Sequence, residues 1–200
     1  MPEPIDFYFD FSSPYGYVAA HRIEDLAQRH IRAVTWRPIL LGPAFKISGN
    51  RPLSDQALKG DYMWRDVPRL CRRFGIPFAR PEPFPIATVA AVRAVYWLWD
   101  RDSEQAVAYA KAVYRAYFAD GRNIGETAVA LAVAGEVGLD AESLGAALQD
   151  PALKDRTKGE VEAAIKLGVF GSPFFFVDGE PFWGGDRLPL MDEWLARGGW

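Results

Sequence analysis

Strand-forming patterns occupy only the two ends of this 200-residue chain, and a long helical block separates them. Neither end holds enough short strands to make a stable sheet by itself, because isolated strand pairs leave backbone groups unsatisfied. The two ends must therefore meet in one sheet, with the middle packed outside it. At the first end, Ile5 to Phe11 alternates Ile5, Phe7, Phe9 and Phe11 against Asp6, Tyr8 and Asp10. That period of two reads as a strand. Ser12-Ser13-Pro14 follows, a helix-start signal with proline in the first turn. Tyr15 to Arg29 places Tyr15, Val18, Ala19, Ile23, Leu26 and Ala27 on one face of a single amphipathic helix. Ile31 to Leu40 reads as a second strand, ending near Pro38 and Pro43. Strand, helix and strand in so short a span make a βαβ unit.

The middle is helical almost throughout. Leu58 to Phe74 has a helical pattern that Pro68 is expected to end or kink. The prolines at 77, 81, 83 and 85 read as an extended linker. Ile86 to Phe118 has no interior proline or glycine, and Asp100 to Ser103 divides it into two helices. Glu126 to Val137, Ala141 to Leu148 and a segment from Pro151 to about Leu167 complete the block. Strand grammar returns with Phe174 to Val177, the turn Asp178-Gly179, and Pro181 to Trp183; Asp-Gly between such runs is a strong hairpin signal. Gly184-Gly185-Asp186 reads as a turn with Asp186 as N-cap, and Leu188 to Ala196 as a last helix. The order βαβ, helical insert, ββα is that of an α/β thioredoxin-like fold with a large all-helical insertion. The expected division is a discontinuous thioredoxin-like domain, 1–45 and 160–200, and a helical insertion domain, 46–159.

Composition narrows the function classes. Half the residues are apolar and 24% charged, with a net charge of −3, which leaves no electrostatic footprint for nucleic acid or an anionic membrane. One cysteine, Cys71, excludes an internal disulfide and a cysteine-built zinc cage. Its flanking arginines favour a thiolate, yet no partner is evident, so Cys71 is expected to be inert. His21 and His30 are expected at the surface and are too far apart for a metal site. No segment approaches the roughly 18 consecutive apolar residues of a membrane span. The start, MPEPIDFYFDF, lacks the basic and apolar regions of a signal peptide, so a cytoplasmic protein is expected.

Two proline-containing turns carry the chemistry. Read locally, Ser12 or Ser13 caps the first helix, but a hydroxyl at a helix start also donates to an anion. Ser172-Pro173 opens a buried strand; before a ββα tail it is expected to be a cis-proline loop facing the first helix, its backbone available to a peptide-like ligand. Lys59, Tyr62, Asp66 and Arg69 share one helical face, which by spacing alone is a solvated charged face. Asp10 is expected to be structural, since a buried carboxylate beside an anion would oppose it.

FYFDFSSPYGYVAA (7–20), KGDYMWRDVPRLCRRFGIPF (59–78), YFADGRNI (117–124) and GVFGSPFFFVDGEPFWGGDRL (168–188) together resemble the 2-hydroxychromene-2-carboxylate isomerase family, which groups with kappa-class glutathione transferases and DsbA-like proteins. Where disulfide oxidases of that group carry Cys-x-x-Cys, this chain has Ser13-Pro14-Tyr15-Gly16, so dithiol redox chemistry is excluded there. The resemblance implies a glutathione-dependent isomerase of aromatic hydrocarbon catabolism, acting on a small aromatic carboxylate without net redox change. It implies that Ser13 holds the glutathione sulfur as a thiolate and that Ser172 and Pro173 pair with its cysteine. Asp186 would meet the γ-glutamyl ammonium, Lys59 a carboxylate of glutathione or substrate, and Tyr62 would line the cleft. Asp66 and Arg69 read as a structural pair. Gly185 stands where relatives usually carry a polar side chain, which implies one fewer hydrogen bond to the cofactor. A homodimer is also implied. A kappa-like transferase and a non-catalytic thioredoxin-fold binding protein are the alternatives.

Overall fold

A computed structural model of the chain describes residues 2–200. Four strands form one sheet in the order β2-β1-β3-β4, from β1 (Ile5–Phe9), β2 (Val34–Pro38), β3 (Phe174–Val177) and β4 (Glu180–Trp183). β2 runs parallel to β1, and β3 and β4 are antiparallel neighbours on the other side. The two ends of the sequence thus complete one sheet. The register places Trp36, Phe7, Phe175 and Phe182 side by side across it. The Phe7 ring packs 5.1 Å from Trp36 and 5.2 Å from Phe175, all three almost fully buried. Each such burial contributes about 1.5–3 kcal/mol. The opposite face is also covered: Tyr8 and Phe174 pack with Ile39, Ala164 and Val169. Asp178 and Gly179 both take positive φ, 53° and 84°, which is the hairpin geometry that Asp-Gly favours.

Among the described residues ten α-helices complete the fold: α1 (Pro14–Ala20), α2 (Ile23–Arg29), α3 (Leu41–Ser48), α4 (Lys59–Phe74), α5 (Val89–Trp99), α6 (Ser103–Phe118), α7 (Thr127–Glu136), α8 (Ala141–Ala147), α9 (Pro151–Lys166) and α10 (Leu188–Arg197). Three sequence expectations are corrected. The helix expected over Tyr15–Arg29 is two helices, with a tight turn at His21 and Arg22 closed by the Arg22 amide on the Ala19 carbonyl. α4 runs unbroken through Pro68. Proline removes one ladder donor there, but Met63, Val67 and Cys71 bury the opposing face and hold the helix together. The residues after β2 form α3, where the sequence pattern predicts only the end of a strand. Its Leu40 cap position supplies no side-chain bond, and the missing cap comes from Asp10, whose Oδ2 accepts the Leu41 amide over 2.8 Å. Pro43 is tolerated because the first turn of a helix lacks intrahelical N–H partners. No helix among the described residues is long and apolar enough to cross a membrane.

Candidate active site

Residues 10–13 link the end of β1 to the start of α1, and β3 begins directly after the Ser172–Pro173 bond, which is cis. Because β1 and β3 are paired, their ends bring the two proline turns together. Ser13 has extended backbone, φ −86° and ψ 113°, and its Oγ accepts the Gly16 amide over 3.0 Å, so it does cap α1. The same hydroxyl donates to the Ser172 carbonyl over 2.9 Å. The cap and the contact to the cis-proline loop are one group. A hydroxyl has a single proton, so this one is committed to Ser172 unless another donor takes that carbonyl.

A buried network fixes the loop from behind. The Asp10 amide donates to Ser172 Oγ over 3.0 Å, and Tyr114 Oη, on α6, donates to the Asp10 carbonyl over 2.9 Å. The Asp10 carboxylate accepts the amide and hydroxyl of Ser12, each over 2.8 Å, besides the Leu41 amide. Burial pushes its pKa up, while these donors oppose the shift. Its oxygens are occupied by structural bonds, as expected of it. Gly16, at the last position of the four-residue turn, has no room for a side chain: a Cβ would lie 2.6 Å from Tyr114 Oη and 2.8 Å from Ser172 Oγ. Where a dithiol motif would carry its second sulfur, two hydroxyls fill the space. An aromatic in an apolar helix reads as core, and burial among Phe9, Phe11 and Tyr17 makes Tyr114 core; the bond its hydroxyl makes behind the loop has no local sequence signal.

The turns open into a cleft of about 1440 Å³ between the sheet end, α1, α3 and α4, with the 84–89 segment on the far side. That exceeds the roughly 300–1,000 Å³ usual for a single small ligand. Ser13, Lys59, Tyr62, Ser172, Pro173 and Asp186 all line it. Lys59, the first residue of α4, is exposed on the wall. Tyr62 is 57% exposed and its hydroxyl accepts from Arg69 over 3.3 Å. Asp66 and Arg69 form the expected i,i+3 pair at 2.6 Å, and Tyr15 Oη donates to Asp66 over 3.1 Å. Burial and the Asp66 charge hold the Tyr15 phenol well above its ordinary pKa, so it stays protonated. The link from Tyr15 to Asp66 joins α1 to α4 and was not read from sequence, since the partners lie 51 residues apart.

Asp186 is not a helix cap. It sits in a short 3-10 turn, Gly185–Arg187, and α10 begins at Leu188 behind Arg187, whose side chain makes no cap bond. Its carboxylate is exposed, 3.3 Å from Arg187. A Cβ placed at Gly185 would meet Ala19, Pro173 and the Tyr15 carbonyl at 3.9 Å, an ordinary van der Waals contact. His30 departs from the surface expectation: its ring is half-buried and lies 2.6 Å from Asp192 on α10. Cys71 is buried on α4, and burial pushes its thiol up to about 11, which fits the inert role. Among the described residues, no group of three His, Cys, Asp or Glu side chains is placed to hold a metal.

Comparison with known proteins agrees with this geometry. The profile of the DSBA-like thioredoxin domain family matches residues 4–196. The chain is 32% identical over 197 residues to a 2-hydroxychromene-2-carboxylate isomerase of Sphingobium xenophagum, covering 98% of this chain and 99% of that protein. A solved 2-hydroxychromene-2-carboxylate isomerase superposes with a TM-score of 0.87 at 29% identity, covering 96% of this chain and 94% of the other. Glutathione S-transferase kappa 1 of Homo sapiens is 26% identical over 212 residues, covering 98% and 92%. With β-strands from both ends meeting at Ser13 and Ser172, and full-length similarity on either side of them, the chain belongs to the 2-hydroxychromene-2-carboxylate isomerase family of DSBA-like thioredoxin-fold proteins.

Proposed function

We propose that this protein is a glutathione-dependent isomerase acting on an aromatic carboxylate of the 2-hydroxychromene-2-carboxylate type. The observation that carries the proposal is the Ser13 hydroxyl, 2.9 Å from the carbonyl of the cis-proline loop at the floor of a large cleft. The residues present suit a peptide thiol. The volume has room for a tripeptide beside an aryl substrate, and the Ser172 carbonyl is an acceptor of the kind a peptide N–H seeks. The cleft also offers cations for carboxylates, with Lys59 on the wall, and Asp186 for an ammonium.

When bound, glutathione supplies the sulfur nucleophile that this chain lacks at position 13, adding to an unsaturated carbon and leaving again so that isomerisation involves no net redox change. Ser13 has two tasks in this reading. Its oxygen keeps the Gly16 amide and so keeps α1 in place. Its proton turns from the Ser172 carbonyl toward the sulfur once a ligand amide occupies that carbonyl. A free thiol has a pKa of roughly 8.5, and a donated hydrogen bond at this position lowers it. Tyr15 remains protonated and holds α4 against α1, fixing the cleft width. Lys59 orients a carboxylate of cofactor or substrate, and Tyr62 lines the same wall. Homodimeric assembly and a cytoplasmic setting are parts of the same proposal.

The test is a spectrophotometric assay with 2-hydroxychromene-2-carboxylate, with and without glutathione, on the native protein and Ser13→Ala. Isomerisation that needs glutathione and falls about 10²–10³-fold in the variant supports the reading. Equal rates without glutathione, or an unimpaired variant, remove it. Stoichiometric conjugation of an aryl halide in place of isomerisation would favour the kappa-like transferase alternative. Absence of glutathione binding at millimolar concentration would favour a non-catalytic binding protein.

A further inference from the structure

One carboxylate ties the α3 wall of the cleft to the Ser12–Ser13 turn. Asp10 is 4% exposed, and its Oδ2 accepts the Leu41 amide at the start of α3 over 2.8 Å. Its Oδ1 accepts the amide and the hydroxyl of Ser12, each over 2.8 Å. Little else holds α3. Of its eight residues only Ala44 is buried, and Leu41 leans on the small cluster around Ile39. Among the described residues, the Asp10 bond is the one hydrogen bond that ties residues 41–48 to any part of the chain outside 40–50. A helix of two turns is marginal without packing or capping partners, so the place of α3 depends on Asp10. What α3 carries into the cleft is Phe45 and Lys46.

The sheet order fixes which ligand that wall meets. In β2-β1-β3-β4, α3 follows β2 at one edge and the turn holding Asp186 follows β4 at the other, with Ser13 after β1 between them. In the glutathione reading, Ser172, Pro173 and Asp186 take the cofactor on the β3–β4 side. A substrate that approaches the sulfur from the opposite side therefore meets α3. We propose that Asp10 is a positioning residue: through the Leu41 amide it holds α3, with Phe45 and Lys46, at the distance from Ser13 that substrate binding requires. A carboxylate suits the role because both its oxygens accept, one toward the turn that carries Ser13 and one toward the wall. Turn and wall are thus set by one rigid group. Asp10 acts through α3 rather than on the reacting atoms. The assignment rests on the isomerase reading above and adds to it the residue that sets the substrate side of the cleft.

Two variants cut this bond from its two ends. In Asp10→Asn the side-chain oxygen can satisfy both Ser12 donors only by turning the NH2 group toward the Leu41 amide, where two donors face each other. In Leu41→Pro the amide itself is gone. Leu40 is extended there, φ −112° and ψ 113°, as the residue before a proline prefers, and proline suits the first position of a helix. Leu41→Ala keeps the amide and is the reference for the lost side chain. Hydrogen exchange at Phe45 to Ser48 should quicken about tenfold or more in Asp10→Asn over native protein, and in Leu41→Pro over Leu41→Ala. Substrate KM should rise about tenfold or more in both, with kcat and the calorimetric Kd for glutathione held within about twofold. The double variant should be no worse than either single one, because both remove the same bond. Unchanged α3 exchange in both variants overturns the latch whether or not the protein is an isomerase. Faster exchange with KM unchanged, with kcat falling instead, or with KM and the glutathione Kd rising together, overturns the role on the substrate side and leaves the isomerase reading standing. Native protein that does not isomerise with glutathione overturns that reading and the substrate role with it, and exchange alone then judges the latch. Either variant serves if the other does not fold.

Discussion

The Ser13 hydroxyl donates to the Ser172 carbonyl over 2.9 Å, joining two turns 159 residues apart in the chain. The same oxygen accepts the Gly16 amide, so the start of α1 and the cis-proline loop are tied through one atom. A group in that position cannot be changed without structural as well as chemical effect.

Ser13→Ala therefore has a stability cost separate from any loss of activity. Removal of a helix cap costs about 0.5–2 kcal/mol, and the carbonyl contact goes with it. Urea unfolding should show the midpoint falling with no change in slope. Ser13→Thr, which keeps the hydroxyl, should recover most of that loss.

Gly16 is confined by Tyr114 Oη and Ser172 Oγ, at 2.6 and 2.8 Å from a Cβ built there. Gly16→Ala should destabilise by about 1–3 kcal/mol through overpacking. Adding Tyr114→Phe removes one of the two close atoms, so the double variant should lose less stability than the sum of the two single costs. Strict additivity in denaturant titrations would contradict the packing account.

Gly185 presents the opposite case. Its nearest neighbours stand 3.9 Å from a Cβ. Gly185 is half-buried, but a Cβ there makes only ordinary contacts, so Gly185→Ser should be accepted within about 0.5 kcal/mol. The new hydroxyl at the edge of the cleft should tighten glutathione binding several-fold, read by calorimetry. Weaker binding would place the cofactor elsewhere.

Burial raises the Cys71 thiol to about 11. A thiol held neutral in the folded state and free to ionise when unfolded, near pH 8.5, contributes stability that is complete below the unfolded value. That contribution is lost as pH rises toward 11. Thermal melts of native protein and Cys71→Ala should therefore converge between pH 9 and 11. At pH 8, iodoacetamide should leave the native thiol unmodified and react only after unfolding. Rapid labelling of the folded protein would show that the side chain is not enclosed by α4 and its neighbours.

The four strands, most of the helices and the two proline turns were legible in sequence because each rests on a local signal. Period-two alternation marks β1, Asp-Gly marks the hairpin, and Ser-Pro marks the start of α1; steric and hydrogen-bonding rules within a few residues are enough. The same locality explains the failures. α3 was missed because its cap, Asp10, lies 31 residues upstream of Leu41. Pro68 was read as a break because the packing of Met63, Val67 and Cys71 that sustains α4 is invisible from its neighbours in sequence. The Asp186 pattern predicts a cap, but the turn before α10 leaves its carboxylate at the surface, paired with Arg187.

What the amino-acid order determined was which segments are strand or helix, that the ends must share a sheet, and that no sulfur stands at position 13. Only the tertiary structure decided that Tyr114 and Ser172 occupy the space beside Gly16, and that the Asp10 carboxylate meets the start of α3. Secondary structure follows from interactions a few residues apart, whereas a site is made where distant segments meet. Its contents depend on the register of β1 with β3 and on how α1, α4 and α6 pack on the sheet, and no local pattern carries that information.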